Sequence, residues 1–216
     1  MIRLDNRLEL CSRFVRCGSR VADIGTDHAY LPAYLCQRGI CPSAVAADIN
    51  PAPLKSGGLT VANEGLTDKI ELRLSDGLAE IGEDEADDVV IAGMGGELIL
   101  RIIMAWNYSK NENKRFILQP MTRSEELIAG LDRGGFEIIG QDCCEAAGKC
   151  YTVICAGYSG KAPCGDPLFP YLGKLKPREN PLHARFVRNH IARLEKKAIG
   201  EPAFGELAAR LRNQIE

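Results

Sequence analysis

From residue 20 onward, short apolar runs alternate with stretches whose apolar residues recur at helical spacing. Residues 20–24 read as a buried strand ended by Gly25. Residues 28–38 read as a helix with Ala29, Leu31, Leu35 and Cys36 facing inward and Gly39 as its stop. Residues 43–49 form a second strand, and Pro51 opens a helix over 53–64. A third strand, 69–74, closes on Ser75-Asp76-Gly77. A fourth, 88–92, is followed by Gly93-Met94-Gly95-Gly96 and a helix through Trp106. Residues 115–118 make a fifth strand ending at Gln119-Pro120, and a helix covers 124–133.

Strands that alternate with helices in this way pair as a parallel sheet covered on both faces. The pattern changes after Gly134-Gly135. Residues 136–145 and 149–157 read as strands joined too closely for a parallel crossover, so the pair is expected to be antiparallel. Residues 159–181, rich in Gly, Pro and Lys, read as a surface linker. Two apolar stripes follow, from Leu182 to Ile199 and from Phe204 to Ile215, broken at Gly200-Glu201-Pro202. They predict an antiparallel helical pair. The expected fold is α/β, a Rossmann-like parallel sheet closed by a C-terminal antiparallel hairpin, with a small C-terminal helical domain. The expected division is a catalytic domain over 1–158 and a linker with helical pair over 159–216.

The 216 residues suit one such domain plus an appendage, and no run of eighteen apolar residues or export signal is present. The expected location is the cytoplasm, away from membranes. Nine cysteines at spacings that match no zinc or redox motif, with three scattered histidines, predict free thiols and no metal. Charge changes the picture more. Residues 1–160 carry 16 basic and 23 acidic side chains, net −7, while residues 161–216 carry 11 and 6, net +5. A basic tail on an acidic body suits a polyanion, although a solvated helix face has the same composition.

Candidate chemistry centres on the first strand-to-helix turn, Val21-Ala22-Asp23-Ile24-Gly25-Thr26-Asp27-His28. Ligands of open α/β sheets sit outside the carboxyl ends of the strands. A dinucleotide fold places a second glycine two residues after the first, where this chain has Asp27, and a carboxylate repels a pyrophosphate. S-adenosylmethionine has no phosphate and carries an ammonium and a sulfonium, so it suits an acidic turn. Asp27 would equally suit a helix N-cap. Asp48, at the end of the second strand, is placed to accept two ribose hydroxyls, or is a turn residue before Asn50-Pro51. Asp76 could accept an adenine amino group, with Gly77 leaving room for the ring, or form a simple Asp-Gly turn. The glycines around Met94 permit close backbone approach where methyl donor and acceptor would meet. The chain lacks the Asn/Asp-Pro-Pro-aromatic segment of exocyclic-amine methylation. Its one Pro-Cys pair, Pro163-Cys164, lies in the linker, which disfavours covalent catalysis.

Several segments together resemble the TrmK family, bacterial enzymes that methylate N1 of adenosine 22 in tRNA. They are Arg7-Leu8, Val21–Pro32 (VADIGTDHAYLP), Asp48-Ile49-Asn50 with Pro53-Leu54, and Ser75-Asp76-Gly77-Leu78. IAGMGG at residues 91–96, Leu118-Gln119-Pro120 and Gly148-Lys149 complete the match. Met121 departs from it, standing where a polar residue, commonly Asn, is expected. The resemblance implies a class I methyltransferase with an S-adenosylmethionine pocket of Asp23, Gly25, Asp27, His28, Asp48, Ile49, Asp76, Gly77 and Gly93. It implies Arg7 at the mouth, facing the methionine carboxylate or an RNA phosphate, with a solvated helix charge as the alternative. His28 could instead be a helix-start residue.

N1 of adenine has its own lone pair, so the expected chemistry is positioning and charge management without a general base. Asp27 is the candidate to stabilise the charge of the product, and with Arg7 makes up the catalytic pair. Met94 and Gly95, with Arg185 and Arg188 of the tail, are the candidates for contact with tRNA. The base must be unpaired or extruded. Tyr30, Tyr34 and Trp106 could stack on it, although core packing is the plainer role of each. The alternatives are methylation of another RNA or a small molecule, and a non-catalytic RNA module that binds S-adenosylmethionine. A nicotinamide dehydrogenase is disfavoured by Asp27 and by the terminal hairpin.

Overall fold

Seven strands make one sheet in the computed structural model, which describes residues 2–216. They are β1 (Val21–Ile24), β2 (Ala44–Asp48), β3 (Ile70–Leu74), β4 (Asp88–Gly95), β5 (Arg115–Thr122), β6 (Phe136–Ala146) and β7 (Lys149–Tyr158). Their order is β3-β2-β1-β4-β5-β7-β6. The first five are parallel, and β7 runs antiparallel between β5 and β6. The expected parallel sheet with a closing hairpin is therefore present.

The helices are α1 (Asn6–Phe14), α2 (Tyr30–Gln37), α3 (Pro51–Asn63), α4 (Gly96–Ala105), α5 (Ser124–Arg133), α6 (Phe169–Leu172), α7 (Pro181–Lys197) and α8 (Ala203–Arg212). The period of two in a strand divides their packing. Ala22 and Ile24 join Ile99, Ile103, Leu127 and Leu131 of α4 and α5 on one face. Val21 and Ala46 join Leu10, Leu31, Leu35 and Val61 of α1–α3 on the other. A third apolar cluster holds the tail. Phe186, Val187, Ile191 and Leu194 of α7 pack with Leu211 of α8 and with Cys143 of β6.

Several elements differ from the periodicity. α1 is marked by no apolar stripe, yet Asp5 caps it by accepting from the N–H groups of Arg7 (3.0 Å) and Leu8 (2.9 Å). α2 starts two residues later than expected because Ala29, its N-cap, adopts the left-handed conformation at φ 54°. Asp27 therefore does not cap this helix. β4 and β5 run further than their apolar cores, through Gly95 and Thr122, with register shifts around Met94. Pro120, which has no N–H to donate, pairs with Met94 at that irregularity. The linker contains α6 and buries Leu168 and Leu175 in the tail cluster, so it packs closely.

Candidate active site

The carboxyl ends of β1, β4 and β5 meet the start of α1 around a cavity of about 370 Å³. Six of the expected residues line it: Arg7, Asp23, Gly25, Asp27, His28 and Gly93. Asp23 faces the α1–α2 side of the sheet, opposite Ala22 and Ile24, and is only 7% exposed. Burial raises its carboxyl to about pH 6, because ionisation without water is costly. Beside it lies the buried Thr26 hydroxyl, which favours the ionised carboxylate and works against that rise. Gly25 has φ 77°, and a side chain there would collide with the terminal methyl of Met94. Met94 therefore packs onto the turn, and the glycine accommodates it.

Gly93 has φ 81°, and nothing lies within 4 Å of where its Cβ would be. Its N–H donates to Oε1 of the buried Gln119 at 3.1 Å, which fixes the turn and leaves its open side to the cavity. Gly95 precedes α4, and Gly96 begins it against the Arg123 carbonyl, where no larger residue fits. Asp27 is 81% exposed, with His28 Nε2 at 3.5 Å. The His28 ring stacks on Tyr30 at 5.1 Å between centroids, and Tyr30 is 45% exposed.

Arg7 reaches the same cavity from α1. Its guanidinium pairs with Asp5 at 2.6 Å, approaches Met121 Sδ at 3.3 Å and lies 5.6 Å over the Tyr151 ring. Partial burial opposes ionisation of Asp5, but the Leu8 N–H and the Arg7 guanidinium hold its carboxyl below the usual range.

Asp48, Ile49, Asp76 and Gly77 stand further along the same edge, at the ends of β2 and β3. Asp48 pairs with Leu74 in register, and its carbonyl accepts from Ser75 N–H at 2.9 Å. Its Oδ1 accepts from Asn50 N–H at 2.7 Å, so it does close the turn. The second oxygen, Oδ2, makes no hydrogen bond among the described residues. Ile49 is 58% exposed at the rim. Asp76 borders a separate hollow of about 300 Å³ with Leu98 and Ile102. Gly77, at φ 59°, packs on Ile102, whose Cγ2 would lie 2.9 Å from an added Cβ. The space beside Gly77 thus belongs to α4.

The candidates outside this edge are in different surroundings. Arg185 pairs with Glu145 at 2.7 Å and donates to the Gly148 carbonyl at 2.8 Å, bracing the hairpin tip. Arg188 is exposed and makes no ion pair among the described residues. Trp106 is core, donating to the Ile81 carbonyl at 2.9 Å, and Tyr34 packs under Arg38. Tyr30, one of the three aromatics that could stack on the base, lines the cavity, as do Asp5, Thr26 and Gln119, which were not site candidates. Gln119 had a signal in Leu-Gln-Pro, because a buried amide at a strand end suggests a backbone to hold.

These features fit S-adenosylmethionine. A buried carboxylate awaits a cation, and a side chain at Gly93 would fill open cavity. Residues 4–154 match the methyltransferase domain family. The chain is 36% identical over 183 residues to the tRNA (adenine(22)-N(1))-methyltransferase of Bacillus subtilis (strain 168), covering 81% of this chain and 77% of that one. Sp1610 of Streptococcus pneumoniae, solved in complex with S-adenosyl-L-methionine, superposes with a TM-score of 0.88 at 31% identity over 100% of both chains. TrmK of M. capricolum, solved with S-adenosyl-homocysteine, superposes with a TM-score of 0.79 at 26% identity over 98% of this chain and 96% of that one.

Proposed function

Because the chain belongs to the TrmK family of tRNA (adenine(22)-N(1))-methyltransferases, we infer that it is an S-adenosylmethionine-dependent enzyme that methylates N1 of adenosine 22 in tRNA. The observation that carries this reading is the buried Asp23 beside the open turn at Gly93, in a cavity also lined by Asp27, His28 and Arg7. When bound, S-adenosylmethionine supplies an electrophilic methyl group on a cationic sulfonium.

The chain's own residues bind and orient. Asp23 receives the ammonium of the methionine moiety, which offsets the cost of ionising the buried carboxyl. Arg7, held by Asp5, faces the opposite charge of that moiety. Asp48 uses its unpartnered oxygen on the ribose, Asp76 receives the adenine amino group, and Ile49 borders the ring, while Gly77 lets α4 pack behind Asp76. Gly25 and Gly93 keep the backbone low under the donor. Met94 and Gly95 face the acceptor. His28 and Tyr30 offer a stacked aromatic pair at the mouth.

Adenine N1 attacks with its own lone pair, so no residue takes a proton. Charge moves instead from donor to base as the N1–C bond forms and the C–S bond breaks. Asp27 stands at the mouth to meet that charge. Its present exposure leaves it screened by water, and it gains influence once the RNA covers it. The body over 1–158 performs the chemistry, and residues 159–216 help to hold RNA. No described helix is long and apolar enough to cross a membrane, and a tRNA substrate supports the reading of a cytoplasmic enzyme.

Incubation with methyl-labelled S-adenosylmethionine and unmodified tRNA, followed by digestion and mass spectrometry, tests the assignment. Label in 1-methyladenosine at position 22 is expected, and label elsewhere or nowhere overturns it. In single turnover the rate should stay nearly flat from about pH 7 to pH 9 in the absence of a general base. Asp27→Asn should slow the step about tenfold, the cost of losing one electrostatic contact of about 1.4 kcal/mol, without changing that profile. A log-linear rise through neutrality would count against the mechanism.

A further inference from the structure

A second cavity, of about 440 Å³, adjoins the first. Three distant parts of the chain build it: Met121 and Arg123 where β5 passes into α5, Lys149 and Tyr151 at the hairpin, and Asn189 and Arg193 on α7. The register of β5 on β7 brings the hairpin tip to the sheet edge that carries the cofactor turn. Among the described residues, every charged side chain lining this cavity is basic: Arg123, Lys149, Arg185 and Arg193. The carboxylates that pair with the arginines, such as Glu97, Glu145 and Glu125, lie outside the lining. Lys149 is exposed and has no ion-pair partner among the described residues.

The wall between the cavities is one side chain thick. Arg7 lines the cofactor cavity, and it touches Met121 at 3.3 Å and covers Tyr151 at 5.6 Å, both of which line the second cavity. An aromatic face beside a row of cations is the chemistry of single-stranded nucleic acid, stacking for the base and charge for the backbone. An adenosine drawn out for reaction at N1 brings its neighbour with it, already loosened from its stack. None of the cofactor contacts uses Gly148-Lys149, although these exposed residues lie at the tip of the β6–β7 hairpin beside the site.

We propose that this cavity seats the nucleotide flanking the methylated adenosine, its base against Tyr151 and its phosphate among Lys149, Arg123 and Arg193. This rests on the reading of the chain as a tRNA methyltransferase. Met121 then forms an apolar edge of the seat, as a thioether that packs under a base.

Binding of unmodified tRNA is measured across a salt series for Lys149→Ala, Tyr151→Leu and Tyr151→Phe, with S-adenosylmethionine affinity measured in parallel. Lys149→Ala should remove about one phosphate contact, lowering the salt slope by roughly 0.7–0.9. Tyr151→Leu should raise the tRNA Kd roughly tenfold, and Tyr151→Phe should restore it, because stacking needs only the ring. Cofactor affinity should stay within about twofold of wild type in all three. Unchanged tRNA affinity and slope in Lys149→Ala and Tyr151→Leu overturns the proposal. A loss of cofactor affinity in Tyr151→Leu also overturns the stacking role, since Tyr151 would then act by holding Arg7. If Tyr151→Leu fails to fold, the exposed Lys149→Ala decides alone. A wild-type enzyme that leaves tRNA unmethylated would defeat the underlying assignment. Methylation by wild type together with normal binding by the variants defeats only the seat.

Discussion

Burial gives Asp23 its chemistry and its cost. Its carboxyl is raised to about pH 6, so the folded apoprotein holds this proton more tightly than the unfolded chain. The stability from that proton is fully present below about pH 4 and is lost as pH rises through about 6. Asp23→Asn should therefore stabilise the apoprotein at pH 8, by on the order of 2 kcal/mol, while weakening cofactor binding. Thermal melts of both forms across pH 4–8 check the first part, and calorimetry checks the second. For wild type, affinity should fall as pH drops below about 6, where the carboxyl must lose its proton to hold the ammonium. Asp48 differs in being half-buried, with one oxygen committed to Asn50 N–H. Asp48→Ala should cost cofactor binding about 2 kcal/mol, roughly thirtyfold in Kd, without unfolding the protein. Unchanged affinity would remove Asp48 from the site. The motif residues were legible in the sequence because strand-end carboxylates and glycines mark a turn that meets a ligand. Tyr30 was legible only as one of three aromatics that could stack or pack, because helical periodicity cannot tell an aromatic at a mouth from one in a core.

Turns and caps carry the same lesson among the elements. Ala29, at φ 54°, lets α2 start after His28, so Asp27 and His28 stay outside the helix and face the cavity. A sequence reading that carries the helix back to residue 28 assigns Asp27 to its cap. The left-handed residue lies against Gly57, whose added Cβ would meet the Ala29 methyl at 3.2 Å, and no local signal announces it. The hairpin between β6 and β7 turns through Ala147 (φ 47°) and Gly148 (φ 74°). Two positive φ values match a tight primed turn, which favours Asn or Gly at the first position. Ala147→Asn should raise stability by about 0.5–1 kcal/mol, read as a higher melting temperature with methyl transfer intact. No change in melting temperature would show the strain to be absent. α1 escaped periodicity because only Leu10, Cys11 and Ser12 are buried in it, too few for a stripe. Asp5 was the available cap signal.

Charge is divided across the whole molecule, with a body at net −7 and a tail at +5. The structure sorts the tail's cations by what they touch. Arg185 braces the hairpin through Glu145 and the Gly148 carbonyl, and Arg212 pairs with Glu195. Arg188 stays exposed on α7. Arg188→Ala should weaken tRNA binding and reduce the salt slope by roughly 0.7–0.9, the value of about one phosphate, with cofactor affinity unchanged. Filter binding at several salt concentrations checks this. Adding Arg185→Ala should weaken binding further and also lower the melting temperature, because a brace is lost. If Arg188→Ala leaves the slope intact, α7 does not face the RNA.

The sequence by itself determined the parallel sheet, the antiparallel hairpin and the cofactor turn. Those follow from apolar period, from the reach of a short connection and from residue types that act within one turn. Tertiary structure alone decided that Thr26 and Gln119 join Arg7, Asp23 and Gly93 in one cavity, and that Gly77 serves α4. It also decided which cations are free and brought Arg123, Lys149 and Arg193 around a second cavity. The physical reason is range. Periodicity and turn chemistry act over a few neighbouring residues. A cavity wall is made where strand order and helix packing bring together residues more than a hundred positions apart, such as Arg7 and Met121.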